Sequence, residues 1–528
     1  MLIAERLART AERFGSRPAA IQGGEQVSWQ QLDELADRGA AGLVELGIGS
    51  SDRVAIQLPN SLAYLAAWYA ILRVGATAVP LNPRYQPDEL GYLLADSEVA
   101  ATVAYAPLAP ALAALAPRLP RLRHVLISDL SPLNLETGPP AAGPTLPFEP
   151  WVVQRRAAVS RPWLQAPPVA DDAPATCLYT SGTSGRPKGA LLTHRGLLWN
   201  IDQLLQVFAA DADDRFLCAL PLFHSYAQMA CIMSTLTLGA AMIILPQFRP
   251  ETVLDVIVRD RVTIFPGVPA HYGAMLSAVR GEAPQALGAL RLAVTGGAAM
   301  PLPVLEALER RYRVVVLEGN GPTEAGPVAY VNPERGPRKP GSVGPPIPGI
   351  RVRVVDATDS DVPLGEVGEV LVSGPSVMLG YLNRPEETRE ALRGGWLHTG
   401  DLGRLDEDGY LFLVDRKTDL IIVGGLNVYP REVEEALLRH PAVAEAAVVG
   451  VPEAARGERV VAFVVARAGQ APTGRELIRH CQQLLAPYKC PRRILLVPAL
   501  DKNAAGKVQK LQLRVLAQQQ IVEEASQP

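Results

Sequence analysis

Between Tyr179 and Gly189 the chain reads Tyr-Thr-Ser-Gly-Thr-Ser-Gly-Arg-Pro-Lys-Gly, which sets Thr180, Ser181, Thr183 and Ser184 among three glycines, with Arg186 and Lys188 close behind. Glycine accepts positive φ and close backbone approach, so such a loop turns several N–H groups toward one point. The hydroxyls add donors and the two cations add charge, and the guest these groups suit is a polyphosphate. A solvated Gly/Ser linker has similar composition. It leaves unexplained why Lys188 stands between Pro187 and Gly189, and why Cys177-Leu178-Tyr179 and Ala190-Leu191-Leu192 flank the loop with apolar residues. Neither Gly182 nor Gly185 has the partners of a Walker A loop. Arg186 stands where a nucleophile elbow needs its last glycine.

Further polar groups follow at turns. His224 lies in Pro221-Leu-Phe-His-Ser-Tyr226, and Gly296-Gly297-Ala298 follows the strand-like Leu292–Thr295. Gly319-Asn320-Gly321-Pro322-Thr323-Glu324 follows another such run from Val314. Then come His398-Thr399-Gly400-Asp401, Asp415-Arg416, Gly424-Gly425 and, near the end, Gly506-Lys507. Ligands of open α/β sheets sit at the carboxyl ends of strands, so these turns are candidate walls of a site.

The elements that must carry them alternate. Ser28 caps a helical pattern ending near Gly47. Val54–Leu58, Ala76–Leu81, Thr102–Tyr105 and His124–Ile127 read as buried strands, with a buried helix from Leu62 to Val74. The expected fold is α/β: largely parallel sheets flanked by helices, then a β-rich stretch over residues 341–415 and a small α+β unit. A Pro-rich surface connection is expected over residues 131–175. Two domains are expected, 1–415 and 416–528.

Composition narrows the function classes. The 528 residues exceed one core, and a net charge of −3 gives no general attraction for nucleic acid or anionic membranes. Five scattered cysteines without C-x-x-C spacing argue against a disulfide framework or zinc site and for a reducing cytoplasm. No secretory leader or membrane span is expected.

Taken in order, these motifs resemble those of the adenylate-forming enzymes: acyl-CoA synthetases, peptide-synthetase adenylation domains and luciferases. The resemblance spans essentially the whole chain. Residues 317–324, Val331-Asn332-Pro333 and Lys339–Gly344 look most like fatty-acyl-CoA synthetases. The resemblance implies attack of a carboxylate on the α-phosphorus of ATP, then transfer of the acyl group from acyl-adenylate to a thiol. It assigns Thr180, Ser181, Gly182, Thr183, Ser184 and Lys188 to the ATP phosphates, and Glu324 with Thr180 to Mg²⁺. Gly297, Ala298, Gly319, Asn320, Gly321, Thr323, Asp401 and Arg416 would hold adenine and ribose, Asn320 standing where an aromatic often stacks. Lys507 would be the catalytic lysine bridging carboxylate and α-phosphate. Thr418, where relatives usually carry Asp or Lys, would be the hinge of a mobile small domain that next presents Gly424 and Gly425 to CoA.

His224 would stand by the carboxylate as a catalytic and acyl-site residue, with Tyr226, Val268 and Gly296 lining the acyl site. Amino-acid-activating relatives place an aspartate at His224, so an amino-acid substrate is disfavoured. The tryptophan gate of some long-chain enzymes is missing, with Gln228 near its place. A medium- or long-chain fatty acid is the expected substrate and CoA the expected acceptor. Aryl acids, a separate carrier protein and a nucleotide-binding protein without turnover are the alternatives.

Overall fold

The computed structural model describes residues 1–131, 145–148, 169–181, 186–278, 287–453, 457–502 and 508–525. The Pro-rich connection, except its ends and residues 145–148, lies outside them. The described residues divide into two compact units, Met1–Val352 with Val372–His398, and Arg353–Leu371 with Thr399–Pro528.

The first unit holds two sheets. In one, Thr145–Pro147, His124–Ser128, Ala101–Tyr105, Arg53–Gln57, Thr77–Pro80 and Pro174–Ser181 lie side by side and parallel. Pro187–Thr193 then adds antiparallel, and Gly380–Tyr381 closes that edge. The other sheet places Ile264–Gly267, Leu292–Thr295 and Val315–Asn320 in parallel beside Arg215–Cys218 and Ala241–Ile244. The α/β expectation is borne out.

Helix Leu62–Arg73 touches strands of both sheets and is buried along its whole length. A helix apolar on every face up to its last residue suits that place, since no face meets water. Its one cation, Arg73, is neutralised by Asp33 and Asp37 of the preceding helix, Trp29–Glu45. That helix begins as the sequence predicts: Ser28 Oγ accepts from Gln31 N at 3.2 Å, while Gln31 Oε1 accepts from Ser28 N at 2.9 Å.

Three local features modify this pattern. The long helix after His224 contains a widened turn over Gln228–Met233, where Ser234 Oγ donates back to the Met229 carbonyl. The strand expected from Val314 runs on through Gly319 and Asn320, because Tyr330–Val331 pairs with those two residues. The polar C-terminal stretch is helical to Ala525, anchored by buried Leu513 and Ala517.

The second unit holds a four-stranded sheet, Arg351–Val355, Gly368–Ser373, Leu397–Leu405 and Leu411–Arg416, and a five-stranded one built on the long pair Val443–Glu453 and Gly457–Ala466. Alternation along that pair sends Val448, Val460, Ala462 and Val464 to one core and Val449, Val461 and Phe463 to another. No helix among the described residues is long and apolar enough to cross a membrane.

Candidate active site

In the first unit, the strands flanking the expected phosphate loop form an antiparallel hairpin in which Thr180 lies opposite Lys188. Residues 182–185, and with them Gly182, Thr183 and Ser184, fall outside the described residues, as does the side chain of Ser181. The feet of the hairpin are pinned. Tyr179 Oη donates to Asp96 Oδ2 at 2.8 Å, Tyr92 Oη donates to the Pro187 carbonyl at 3.0 Å, and the Arg186 guanidinium lies over the Tyr92 ring. Burial, with Cys177 and Asp96 nearby, pushes the Tyr179 phenol up, which keeps it a donor.

Glu324 enters on a single helical turn, Thr323–Ala325, set by Pro322. Its Oε1 accepts from Thr180 Oγ1 at 2.8 Å and from Tyr381 Oη at 3.1 Å. The Lys188 ammonium stands over the same Tyr381 ring, 5.2 Å from its centre. Hydroxyl, carboxylate, phenol and ammonium thus meet at one place.

Thr323 Oγ1 and Ser225 Oγ are 2.9 Å apart, which links this turn to the segment bearing His224. That segment is held from below: Asn60 bonds the Leu220 carbonyl and the Leu222 N–H, and Tyr64 Oη donates to the Leu222 carbonyl. Gln228 donates to the same carbonyl, so it is engaged in the wall. His224 Nδ1 accepts from Tyr226 N at 3.2 Å, which in a neutral ring leaves the proton on Nε2. Tyr226 Oη donates to the Val294 carbonyl at 2.7 Å.

The glycines here answer to different needs. A Cβ on Gly321 would lie 2.1 Å from the Pro327 carbonyl oxygen, so only glycine fits. On Gly296 it would sit 3.4 Å from the Tyr226 ring and 3.2 Å from the Gly319 oxygen. Gly297 has φ +78° and follows the strand end.

In the second unit, Asp401 and Arg416 are direct antiparallel partners, with Arg416 Nε 2.7 Å from Asp401 Oδ1. Asp401 N is bonded by Thr399 Oγ1, whose own proton goes to the Val370 carbonyl. Thr418 lies exposed in the turn that follows Arg416. Gly424 and Gly425, with φ +60° and +81°, are a two-residue hairpin turn needing positive φ twice. Lys507 lies outside the described residues, although its neighbours Lys502 and Val508 pair with each other.

The AMP-binding enzyme family model matches residues 7–382, and that of the AMP-binding enzyme C-terminal domain matches residues 432–507. The chain belongs to the AMP-binding enzyme family. It is 34% identical to a long-chain-fatty-acid–CoA ligase of Bacillus subtilis over 96% of this chain and 93% of that protein. It is 37% identical to a feruloyl-CoA synthase of an Amycolatopsis species, over 96% of this chain and 97% of that one. An anthranilate CoA ligase solved with anthranoyl-AMP superposes with a TM-score of 0.89 at 28% identity, covering 99% of this chain and 98% of that one. The expectation of an adenylate-forming enzyme most like fatty-acyl-CoA synthetases is borne out, and ATP-dependent acid–CoA ligation is the activity these findings support.

For an AMP-binding enzyme the donor set is telling. No group of three or more His, Cys, Asp or Glu that could hold a metal occurs among the described residues. One carboxylate and one hydroxyl, both hard oxygen donors, suit Mg²⁺, which keeps waters and takes phosphate oxygens for most of its shell. They do not suit zinc.

Of the residues named from the sequence, the structure gathers Thr180, Glu324 and Lys188 around Tyr381, bonds Thr323 to Ser225 beside His224, and pairs Asp401 with Arg416. Sequence reasoning missed Tyr381. Its Gly380-Tyr381 run looks like any packing aromatic near a turn, and only edge pairing with Ala190 carries it to Glu324.

Proposed function

We propose that this AMP-binding enzyme activates a carboxylic acid with ATP, releasing pyrophosphate, and passes the acyl group from the adenylate to CoA. The observation that carries the reading is the convergence of Thr180, Glu324 and Lys188 at the base of the glycine-rich hairpin. Charge builds on phosphoryl oxygens during this displacement, so prearranged donors and cations do most of the catalysis. Lys188 and the loop hydroxyls would hold the β- and γ-phosphates, Asp401 with Arg416 the ribose, and Gly297, Ala298, Gly319, Asn320, Gly321 and Thr323 the base and its surroundings. Mg²⁺, when bound, would be held by Glu324 and Thr180 and would neutralise phosphate charge.

Lys507 is our candidate for the residue that joins carboxylate to α-phosphate. Residues 416–528 would move as a domain about Thr418, bringing Gly424 and Gly425 to the thiol step. Residues 1–415 would carry both other substrates. A reducing, cytoplasmic setting suits the five buried free cysteines.

The acid is read as a medium- or long-chain fatty acid, on the likeness to fatty-acid–CoA ligases, with His224, Tyr226, Val268 and Gly296 as its proposed site. An aryl acid is the second reading, favoured by the feruloyl-CoA synthase relative. Release of AMP, followed with CoA and a panel from hexanoate to palmitate plus ferulate and benzoate, separates them. Preference rising along the alkanoates supports the first, and preference for ferulate or benzoate overturns it. A carrier protein replaces CoA if thioester forms only on the former.

A further inference from the structure

The contacts of Tyr381 say more than that it packs well. Thr180 and Lys188 are direct cross-strand partners, so their side chains leave the hairpin on one face, about 5 Å apart at Cβ. Glu324 is bonded to the first of them. A lysine stem is long enough to carry its ammonium to a carboxylate so placed, and in half-buried surroundings opposite charges attract strongly at contact distance. Yet among the described residues Lys188 makes no ion pair. Its ammonium lies instead over the ring of Tyr381, whose phenol is bonded to Glu324.

We infer that Tyr381 is a positioning residue that keeps Lys188 and Glu324 from pairing with each other before ATP arrives. Its ring face attracts the cation and its edge hydroxyl holds the anion, so one side chain stations both charges without letting them cancel. Each then meets the substrate uncommitted: the ammonium a phosphate, the carboxylate the metal that travels with it. Collapse of the pair would have to be undone at each binding event. The strand position fits the task, since Tyr381 is locked by pairing with Ala190 and by its N–H to Thr388 Oγ1 at 2.8 Å. The inference rests on the proposed phosphate role of Lys188.

The test is equilibrium binding of ATP by calorimetry, with and without Mg²⁺ and with no acid present, so that no turnover intervenes. Tyr381→Leu is expected to weaken binding in Mg²⁺ about tenfold or more, and Tyr381→Phe, which keeps the ring, by only a few-fold. In a Lys188→Met background, Tyr381→Leu should change binding less than about twofold, because no ammonium is left to collapse. An equal loss in both backgrounds would mean a merely structural role and overturn the inference, as would unchanged binding by Tyr381→Leu. If Tyr381→Leu does not fold, Tyr381→Phe decides through its Mg²⁺ dependence: a raised Mg²⁺ requirement supports the inference and an unchanged one sinks it. Should Lys188→Met alone leave ATP binding intact, the phosphate reading itself fails and takes this inference with it. A Lys188 effect that is additive with that of Tyr381 removes only the inference.

Discussion

Thr180 donates its hydroxyl to Glu324 across 2.8 Å, although 144 residues separate the two in sequence. The bond joins the end of a hairpin strand to a turn from the other sheet of the same unit, and each residue is placed by its own backbone setting. Replacing Glu324 by Gln keeps an acceptor for Thr180 but removes the charge. Adenylation is expected to fall by about two to three orders of magnitude, the scale of losing one electrostatic stabiliser. The melting temperature should move by only a few degrees. Pyrophosphate exchange and a thermal melt on the same preparation check both.

Asp401 and Arg416 form an ion pair with the arginine about half exposed, the side-chain exposures being 11% and 47%. Such pairs add roughly 0–1 kcal/mol to stability, whereas a charged hydrogen bond to a ligand is worth about 1.5–3 kcal/mol. Asp401→Ala is therefore expected to raise the KM for ATP about tenfold or more with little change in unfolding. A large destabilisation with an unaltered KM would contradict a ribose role.

Two glycines separate crowding from backbone conformation. Gly321→Ala drives a methyl into the Pro327 carbonyl, 2.1 Å away, so the backbone beside Thr323 and Glu324 must shift. Gly425→Ala meets nothing within 4 Å and bears only the left-handed penalty of about 1–2 kcal/mol. The first should destroy adenylation, and the second should leave it while lowering stability modestly. Half-reaction rates with urea titrations distinguish them.

Two histidines, His194 buried and His271 half-buried, set a pH dependence. Burial pushes His194 down to about 4, helped by the Met1 amino group, and burial alone pushes His271 down to about 4. Both fold neutral, while the unfolded chain takes up protons below about 6.5, so the unfolded state binds more protons between those values. Stability from these groups is present above about pH 6.5 and is lost as pH falls toward 4, with a slope of up to about 1.4 kcal/mol per pH unit for each. His271 stacks on Phe248 with ring centres 4.0 Å apart, so His271→Phe keeps the shape and should flatten the slope. Melts across that window show whether it does.

Much of this was legible from local chemistry. The Ser28 cap, the apolar run of the Leu62–Arg73 helix and the hydroxyl-rich loop carry their reasons within a few residues. Gly321 and Glu324 could be named because a glycine turn before an acid is a compact pattern. Tyr381 could not, because its place comes from an edge strand laid on Ala190 from far along the chain. The continuation of a strand through Gly319 and Asn320 was hidden for the same reason: its partner, Tyr330–Val331, returns antiparallel after a loop that propensity does not reveal. The widened turn at Gln228–Met233 has a side-chain bond from Ser234 as its companion, and a lone serine in a helix announces no such thing.

Lys507 bears the chemistry in the proposal. Lys507→Ala is expected to slow adenylation by at least about a hundredfold while thioester formation from preformed acyl-adenylate and CoA stays within a few-fold. Equal losses in both half-reactions would remove the assignment.

The most direct measurement is exchange of labelled pyrophosphate into ATP, with CoA left out. The account predicts exchange that appears only when a carboxylic acid is added, requires Mg²⁺ and grows along the preferred acid series. No exchange with any acid, or nucleotide turnover to ADP and phosphate, would contradict it.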